Sequence, residues 1–375
     1  MPYADEALNR KVDSTTNKFV PSQTKPSPPD LARLRDQWQE MNGIPKLVPA
    51  RIAGIDNSFL DFDVRTLLRG EESGGRHSVH SIIVPPSAEI PAHGYESGDA
   101  AWFVLSGELE IRVGALKRNV KAPAFAYAPE QTTHAIANRS NAPAEVLVIH
   151  SPAGADCAFE AAHRLFQEGR DVNADDVWAM FAAYGFTFSN GKSLANDRRV
   201  NEEAARVDQA IESFEDFAAL RDRWRLLAPT PKIVDFPQQC RNIPVPDQET
   251  RVLLTPEESR AHASVLWGGL QNGFGAPVHH QPSEDEFFVV LEGSLRLGVG
   301  NLVEEDARHG AFGYAPRYAT HFFESKVGSV VTLFTMNSPG GHERGFEFAV
   351  RERGSPGFLE GMEARGYVFH QTSEQ

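Results

Sequence analysis

The stretch PVHHQPSEDEFFVVLEG, residues 277–293, places possible metal ligands at the spacing of β-strands. His279 and Gln281 are two residues apart, so on a strand their side chains share one face, whereas His280 faces the other way. Glu286 opens the next predicted strand and can point to the same side. Imidazole, amide oxygen and carboxylate donors suit borderline or hard divalent ions. The stretch therefore predicts a metal site.

A later segment, GAFGYAPRYATH at residues 310–321, ends in a histidine that can complete this site. His321 lies on a predicted strand that follows Pro316. Iron, manganese, nickel and cobalt accept such a mixed set of nitrogen and oxygen donors, with positions left open for a substrate or dioxygen. The alternative is that His279 and His321 are polar residues at the mouth of a barrel that holds no metal.

Both segments lie in the second half of a duplicated sequence. LRDQW at 34–38 returns as LRDRW at 220–224, an offset of 220 − 34 = 186. VLSGEL at 104–109 returns as VLEGSL at 290–295, again at 290 − 104 = 186. A Tyr-Ala-Pro and a Ser-Pro-x-Gly segment repeat at 314 − 127 = 187 and 338 − 151 = 187. Matches in one order at a nearly constant offset predict two copies of one structural unit.

Each copy is predicted to have the same elements. An amphipathic helix (30–41 and 214–227) precedes short strands of alternating polarity, and a second helix (157–167 and 342–352) follows them. Many short, evenly spaced strands favour an all-β sandwich or closed barrel with short flanking helices. In chain order we expect a polar arm at 1–29 that can cross to the other copy, a first domain at 30–188, a linker at 189–213 and a second domain at 214–375.

These motifs resemble those of the cupin superfamily. Its first motif is His-x-His, four residues, Glu, six residues and Gly, and His279, Glu286 and Gly293 occupy matching positions. The segment that ends in His321 is similar to the second motif, in which the family places its last metal ligand. The resemblance covers both copies, so the chain resembles a bicupin, and it is most similar to the quercetin 2,3-dioxygenase-like bicupins. It implies two tandem double-stranded β-helix, or jelly-roll, barrels.

The second copy departs from the motif at one position, where Gln281 replaces the second histidine. An amide oxygen is a weaker donor than an imidazole, so metal affinity should fall unless Gln281 ligates or a water takes its place. His279, Glu286 and His321 still form a set of two histidines and one carboxylate, a known arrangement for iron. Glu286 can act as a ligand or as the base that removes a hydroxyl proton from the substrate.

The first copy departs further, because His93, Tyr95, Ala100 and His134 stand at the four ligand positions. Alanine cannot ligate, and a neutral tyrosine is a poor ligand unless its pKa is strongly lowered. The first barrel is therefore predicted to be structural and free of metal. The alternative is a pocket without metal in which His93, Tyr95 and His134 form hydrogen bonds to a ligand. His342 matches no ligand position and is interpreted as an ordinary surface or strand-end residue.

The second site is expected to take a small organic substrate. Inward-facing candidates for its lining are Trp267, Phe288, Phe312 and Phe323, which would favour a flat or apolar molecule, although such residues can also be barrel core. The resemblance implies a metal-dependent dioxygenase acting on a small aromatic, flavonol-like or enolic compound. The alternatives are a decarboxylase, isomerase or hydrolase without redox chemistry, and a bicupin that binds a ligand without catalysis. One divalent ion per chain is expected, iron(II) first, with manganese, nickel, cobalt or copper as alternatives.

Composition limits the partners. The 37 basic and 51 acidic side chains give a net charge of −14, which disfavours nucleic acid and anionic membrane surfaces. The first 19 residues contain no apolar core of a secretory signal, and two distant cysteines exclude a disulfide scaffold and a thiolate zinc site. We expect a cytoplasmic protein, and the resemblance to other cupins implies a homo-oligomer paired through edge strands or swapped arms.

Overall fold

The computed structural model describes residues 30–168, 172–188, 194, 197, 217–235, 240–244, 249–271, 273–352 and 354–370. The predicted arm at 1–29 lies outside the described residues. The predicted linker at 189–213 does too, apart from residues 194 and 197. The domain boundaries therefore stay predictions.

The first copy begins with helix α1, Leu31–Gln39, close to the predicted 30–41. Its N-cap is Asp30, whose carboxylate accepts hydrogen bonds from the backbone N–H groups of Ala32 and Arg33. The strands that follow, in chain order, are β1 Lys46–Val48, β2 Ile55–Asp56, β3 Asp63–Leu68, β4 Ser78–Val84, β5 Glu89–Tyr95, β6 Asp99–Ser106, β7 Glu108–Val113, β8 Leu116–Lys121, β9 Ala124–Ala128, β10 His134–Ala137 and β11 Ala144–Ser151. The copy ends with helix α2 Ala155–Gln167, helix α3 Ala174–Ala183 and strand β12 Phe186–Phe188. Short 3-10 turns occupy Arg51–Ala53 and Glu71–Ser73.

The second copy repeats this order from helix α4, Phe217–Trp224. Its strands are β13 Lys232–Val234, β14 Arg241–Ile243, β15 Glu249–Leu254, β16 Ser264–Gln271, β17 Gly275–His280, β18 Asp285–Glu292, β19 Leu295–Val299, β20 Leu302–Ala307, β21 Phe312–Ala315, β22 His321–Ser325 and β23 Val330–Ser338. Helices α5 His342–Glu352 and α6 Phe358–Glu363 and strand β24 Val368–Phe369 complete it. Helix α5 has the predicted bounds. None of the helices in the described ranges has the length and apolarity needed to cross a lipid bilayer.

The strands form two barrels, each built from a seven-stranded and a five-stranded sheet. The first barrel has the orders β13-β9-β6-β11-β4-β3-β2 and β12-β5-β10-β7-β8. The second has the orders β1-β21-β18-β23-β16-β15-β14 and β20-β19-β22-β17-β24. The predicted all-β architecture of two tandem jelly-roll barrels with short flanking helices is therefore confirmed.

The two barrels exchange their first strands. Strand β1 of the first copy pairs with β21 of the second barrel, where Lys46 opposes Tyr314. Strand β13 of the second copy pairs with β9 of the first barrel, where Lys232 opposes Tyr127. Each barrel therefore depends on a strand from the other half of the sequence. The crossing segment lies at 46–48, beyond the arm at 1–29 for which the crossing was predicted.

Alternation along the strands separates three apolar clusters. One fills the first barrel, a second fills the interior of the second barrel, and a third lies between the barrels. Strand β18 shows the pattern, because Phe287 and Val289 face the cluster between the barrels while Phe288 and Val290 face the interior. The interior of the second barrel also receives Glu286, and the candidate metal ligands lie at this end of the barrel.

Candidate metal centre

Two histidines from neighbouring strands face each other inside the second barrel. His279, near the end of β17, is the register partner of His321, which begins β22. Side chains directly opposite each other in an antiparallel pair lie close together, and here the ring centroids are 4.3 Å apart. Both side chains are buried, with 4% and 2% of their surface exposed.

Glu286 joins this pair from the other sheet. It lies near the start of β18 and is buried. One ligand atom from each of His279, Glu286 and His321 lies within 4.8 Å of the other two. In the part of the chain that the structure describes, this is the only group of three or more His, Cys, Asp or Glu side chains that meets this spacing. Three of the four predicted ligands are thus brought together.

Backbone carbonyls set the tautomers of both histidines. Nδ1 of His279 lies 2.8 Å from the carbonyl oxygen of Pro277, and Nδ1 of His321 lies 2.9 Å from that of Ala319. A carbonyl only accepts, so each Nδ1 carries the proton and donates it. Nε2 of each neutral ring is therefore left with a lone pair, the form in which histidine binds metals.

The atoms of Glu286 and His321 fit a cation between them. Oε2 of Glu286 lies 2.9 Å from Nε2 of His321. Both atoms are buried, and neither makes a hydrogen bond to any described residue. When the His321 ring is neutral, this tautomer presents a lone pair, so two acceptors face each other with no hydrogen between them. A bound cation would turn this unfavourable contact into two coordinate bonds.

The pKa directions agree with this donor set. Burial alone would raise the pKa of Glu286, but the surrounding imidazoles, His342 first and then His321 and His279, lower it to about 2. Burial, supported by the neighbouring His321, lowers the pKa of His279 to about 3. At neutral pH the centre then holds an ionised carboxylate beside an unprotonated imidazole, as divalent cations require.

Gln281 contacts His342, and its role as a ligand stays a prediction. Its Nε2 lies 3.1 Å from Nδ1 of His342, and its buried Oε1 makes no hydrogen bond within the described residues. Nδ1 of His342 also lies 2.5 Å from the hydroxyl of Tyr367. Gln281 is thus held in a side-chain network with His342 and Tyr367, at the edge of the centre.

His342 is the residue that sequence reasoning missed. It is 7% exposed, and its Nε2 lies 3.8 Å from Oε1 of Glu286, too far for a hydrogen bond. The interpretation as an ordinary surface or strand-end residue is wrong, because the Ser-Pro-Gly-Gly turn carries the start of α5 back over the barrel. The duplication contains one sequence signal that His342 belongs to the centre. The equivalent residue of the first copy is Ala155 (342 − 187 = 155), so the histidine occurs only in the copy that keeps Glu286.

The structure separates the four residues predicted to line the substrate pocket into two groups. Phe288 and Phe323 belong to the interior of the second barrel, and the ring of Phe288 lies 5.7 Å from that of His321. Trp267 and Phe312 instead pack between the barrels. Their positions in β16 and β21 give them the opposite parity, so the expectation that they line the pocket is wrong.

A buried ion pair lies behind the centre. Glu284 contacts the guanidinium of Arg221, which belongs to α4. Burial raises the pKa of Glu284 to about 7, although Arg221 opposes this shift. The equivalent arginine of the first copy, Arg35, instead donates to the hydroxyl of Tyr95 at 2.9 Å. Arg35 also donates to the backbone carbonyl of Ala153, and Arg221 donates to that of Gly340, so each arginine fastens the first helix of its copy to the barrel.

The first barrel keeps the histidine pair without the carboxylate. His93 and His134 are register partners, with ring centroids 4.3 Å apart. Ala100 stands at the position equivalent to Glu286 and is fully buried. The Tyr95 hydroxyl bonds Arg35, and burial raises the pKa of Tyr95 to about 12. Tyr95 therefore stays neutral and faces the helix, so it does not join His93 and His134 in a common site.

Comparison with known proteins finds a cupin domain in the first half of the chain. Residues 67–150 match the family model described as Cupin domain, and no curated protein sequence matches the chain. Oxalate decarboxylase from Bacillus subtilis has a similar structure, with a TM-score of 0.49 and 11% identity over 80% of this chain and 77% of that chain. AerE from Microcystis aeruginosa has a TM-score of 0.45 and 11% identity, covering 80% of this chain and 99% of that chain. Protein Ylba from E. coli has a TM-score of 0.49 and 9% identity, covering 79% and 91%. The finer resemblance to quercetin 2,3-dioxygenase-like bicupins stays a prediction.

Proposed function

We propose that the chain is a metal-dependent dioxygenase whose centre, His279, Glu286 and His321 of the second barrel, holds one divalent ion. The observation that carries this proposal is the convergence of two imidazoles and one carboxylate within 4.8 Å. Two histidines and one carboxylate with open positions are the donor set of non-haem iron(II) oxygenases. Iron(II) is therefore the first candidate, with manganese, nickel, cobalt and copper behind it. When bound, the ion supplies Lewis-acid and one-electron chemistry for a substrate and dioxygen.

The side chains around the centre would hold it rigid and exclude water. Phe288 packs beside His321, and the ring of Tyr367 stacks on His279 at a centroid distance of 5.8 Å. The two oxygens of Glu286 would serve the two roles predicted for this residue, metal ligand and base. Oε2 faces His321 and would bind the ion, whereas Oε1 lies on the side of His342. From there a carboxylate can take a hydroxyl proton from a substrate.

The substrate we propose is a small enolic or hydroxylated compound. Trp267 and Phe312 pack between the barrels, so of the four predicted lining residues only Phe288 and Phe323 lie in the interior of the second barrel. The polar network of Gln281, His342 and Tyr367 also adjoins the centre, through His342. Apolar and hydrogen-bonding neighbours together suit a compact molecule with adjacent oxygen atoms better than a large flat aromatic one.

That polar network favours a second candidate, a decarboxylase, isomerase or hydrolase in which the ion is only a Lewis acid. Such reactions move protons, and groups that can hold or relay a proton lie next to the centre, namely His342 and Tyr367. Dioxygen distinguishes the two candidates. The first consumes it with each turnover, and the second turns over equally well under anaerobic conditions.

Elemental analysis of protein produced with iron, manganese, nickel, cobalt and copper tests the shared premise. We expect about one ion per chain, lost on His321→Ala and kept on His280→Ala, a matched control whose ring contacts His370 instead of the centre. A dioxygen electrode then follows turnover of enolic, hydroxylated and aromatic compounds. Product formed without dioxygen uptake would favour the second candidate. Protein that takes up no ion at all would overturn both and favour a bicupin that binds a ligand without catalysis.

A further inference from the structure

The first barrel retains a histidine pair with the same geometry as the candidate metal centre. The rings of His93 and His134 have centroids 4.3 Å apart and planes at 62°, and the rings of His279 and His321 have the same two values. Nδ1 of His93 lies 2.7 Å from the Pro91 carbonyl oxygen. Because that nitrogen must donate, Nε2 of His93 is left as an acceptor.

His134 is fixed in the same tautomer. Its Nδ1 lies 2.9 Å from the carbonyl oxygen of Thr132, and its buried Nε2 has no hydrogen-bond partner among the described residues. Burial lowers the pKa of His93 to about 4 and holds the pKa of His134 well below its usual range. Both rings are therefore neutral, and together they present two acceptor nitrogens.

The polar partners of the metal centre are replaced by apolar residues in the first barrel. Ala100 stands for Glu286 and Ala155 for His342. The tail strand β12 pairs with β5, the strand of His93, and places Phe186 opposite Tyr95. In the second barrel the tail strand β24 pairs with β17, the strand of His279, in the same way. These replacements leave the pair of His93 and His134 without the neighbouring carboxylate and next to aromatic side chains. A cation would find only two neutral donors there.

An apolar pocket adjoins the pair. His93, Trp102 and His150 lie in its wall. The rest of the wall is mainly aromatic and includes Phe59, Phe159, Trp178, Phe181, Phe186 and Phe188. Nε1 of Trp102 is a buried donor without a hydrogen-bond partner in the described part of the chain.

The chemistry of this wall selects a ligand class. Aromatic rings favour an aromatic ligand. The neutral acceptor nitrogen of His93 favours a ligand that donates a hydrogen bond and repels a carboxylate. An ammonium group would lie in an apolar pocket without a counter-ion, which is costly. A hydroxyl fits best, because it can donate to an imidazole nitrogen and accept from the Trp102 indole.

We propose that the first barrel is a metal-free binding site for a neutral monocyclic phenol, whose hydroxyl donates to Nε2 of His93 while its ring lies among the aromatic side chains. This site is separate from the centre of the second barrel. It does not depend on the function proposed there.

Three probes of nearly the same shape test the proposal by calorimetric titration of the full chain. They are 4-methylphenol, 4-methylanisole, which has the oxygen without its proton, and 1,4-dimethylbenzene, which has neither. We expect 4-methylphenol to bind roughly tenfold more tightly than the other two, because only it satisfies a buried acceptor. Equal affinity for all three probes would overturn the proposal. This test uses the unchanged protein and requires no variant.

Two matched variants locate the site. His93→Phe keeps an aromatic ring and removes the acceptor, so the preference for the phenol should fall, whereas His279→Phe makes the same change in the second barrel and should leave it intact. His93→Gln keeps a polar acceptor and should restore part of the preference if His93→Phe does not fold. Loss of the preference in His279→Phe alone would place the phenol in the second barrel and overturn the proposal. A second metal ion per chain that is lost in His93→Phe would overturn it as well.

Discussion

Nε2 of His321 faces Oε2 of Glu286 at 2.9 Å, and both atoms are acceptors when the His321 ring is neutral. A neutral amide in place of the carboxylate relieves this contact without a cation, since its N–H₂ can donate to the imidazole. Glu286→Gln should therefore abolish the metal requirement for stability while removing the ion. In the unchanged protein, an ion present at 100 times its Kd stabilises the fold by ~2.7 kcal/mol, so a chelator should lower Tm by several degrees.

Thermal unfolding with and without chelator measures this effect. In Glu286→Gln the two melting temperatures should coincide, and elemental analysis should find no ion. His280→Ala serves as the control and should respond to chelator as the unchanged protein does. An equal chelator effect in Glu286→Gln would place the ion elsewhere.

His342 is expected to act through Glu286 and Gln281 as a positioning residue. His342→Ala removes the group that holds the Gln281 amide and lies beside the free oxygen of Glu286. Changes to such outer residues cost roughly 10–100-fold in activity or metal affinity. We expect kcat to fall in this range while the ion stays bound.

Metal content and the division of the effect between kcat and KM check this prediction. Tyr367→Phe keeps the ring that stacks on His279 and removes only the hydroxyl bond to His342, so its effect should be smaller. Loss of the ion in His342→Ala to the same degree as in His321→Ala would make His342 a ligand.

The duplication explains why much of the fold was predictable from sequence. Side chains alternate between the two faces of a strand, which places Glu286 and Phe288 on one face, and the repeat fixes the order of elements in both barrels. Parity alone does not say which face points into a barrel when both faces are buried, and for this reason Trp267 and Phe312 were assigned to the wrong side. Here the outer face of each seven-stranded sheet is covered by the other barrel, so strands such as β16 and β21 are apolar on both faces.

Contacts between distant elements could not be read from local spacing. His342 reaches the centre only because a turn and a helix pack over the barrel mouth. The pairing of β1 with the opposite barrel also leaves no trace in periodicity, since Lys46–Val48 is a short strand that would suit either barrel.

The first barrel should gain a metal site if its missing carboxylate is restored. Ala100→Glu adds that group beside His93 and His134, whose tautomers already leave both Nε2 atoms as acceptors. We expect about two ions per chain where the unchanged protein holds about one. Ala100 is fully buried, so the larger side chain should cost about 1–3 kcal/mol of stability in the metal-free protein.

Elemental analysis checks the gain, and thermal unfolding with added metal should show the lost stability recovered. The same change in a His134→Phe background is the control, because it lacks one ligand and should bind no second ion. A folded Ala100→Glu protein with an unchanged ion content would contradict the equivalence of the two histidine pairs.

An ion pair between the two copies should make stability depend on pH. Nδ1 of His262 lies 2.6 Å from Oδ2 of Asp99, so His262 of the second copy contacts the first barrel. Burial lowers the pKa of His262, but the Asp99 carboxylate more than offsets this, and the net pKa is raised. A raised pKa adds stability below the unfolded value of ~6.5, and this contribution is lost as pH rises through the folded value.

His262→Gln should therefore lower Tm more at pH 6 than at pH 9. The side chain is 46% exposed, so the difference should be at most about 1 kcal/mol. Thermal unfolding of both proteins at the two pH values tests the prediction, which an equal loss at pH 6 and pH 9 would contradict.

The exchanged strands should make each barrel sensitive to substitutions in the other half of the sequence. Val48 is 4% exposed in β1 and packs between the barrels, where it lies opposite Phe312 of β21. Val48→Ala removes buried methyl groups at a cost of about 1–2 kcal/mol. Because β1 hydrogen bonds to the second barrel, amide hydrogen exchange should accelerate in β21 and β18, although the substitution lies in the first copy.

Val234→Ala is the matched substitution in β13, whose Val234 opposes Phe125 of β9. It should accelerate exchange in β9 and β6 of the first barrel and leave β21 less affected. The crossed pattern distinguishes strand exchange from a general loss of stability, which would speed exchange in both barrels with either variant. If each substitution loosened only the barrel formed by its own half of the sequence, the pairing of β1 with β21 and of β13 with β9 would be wrong.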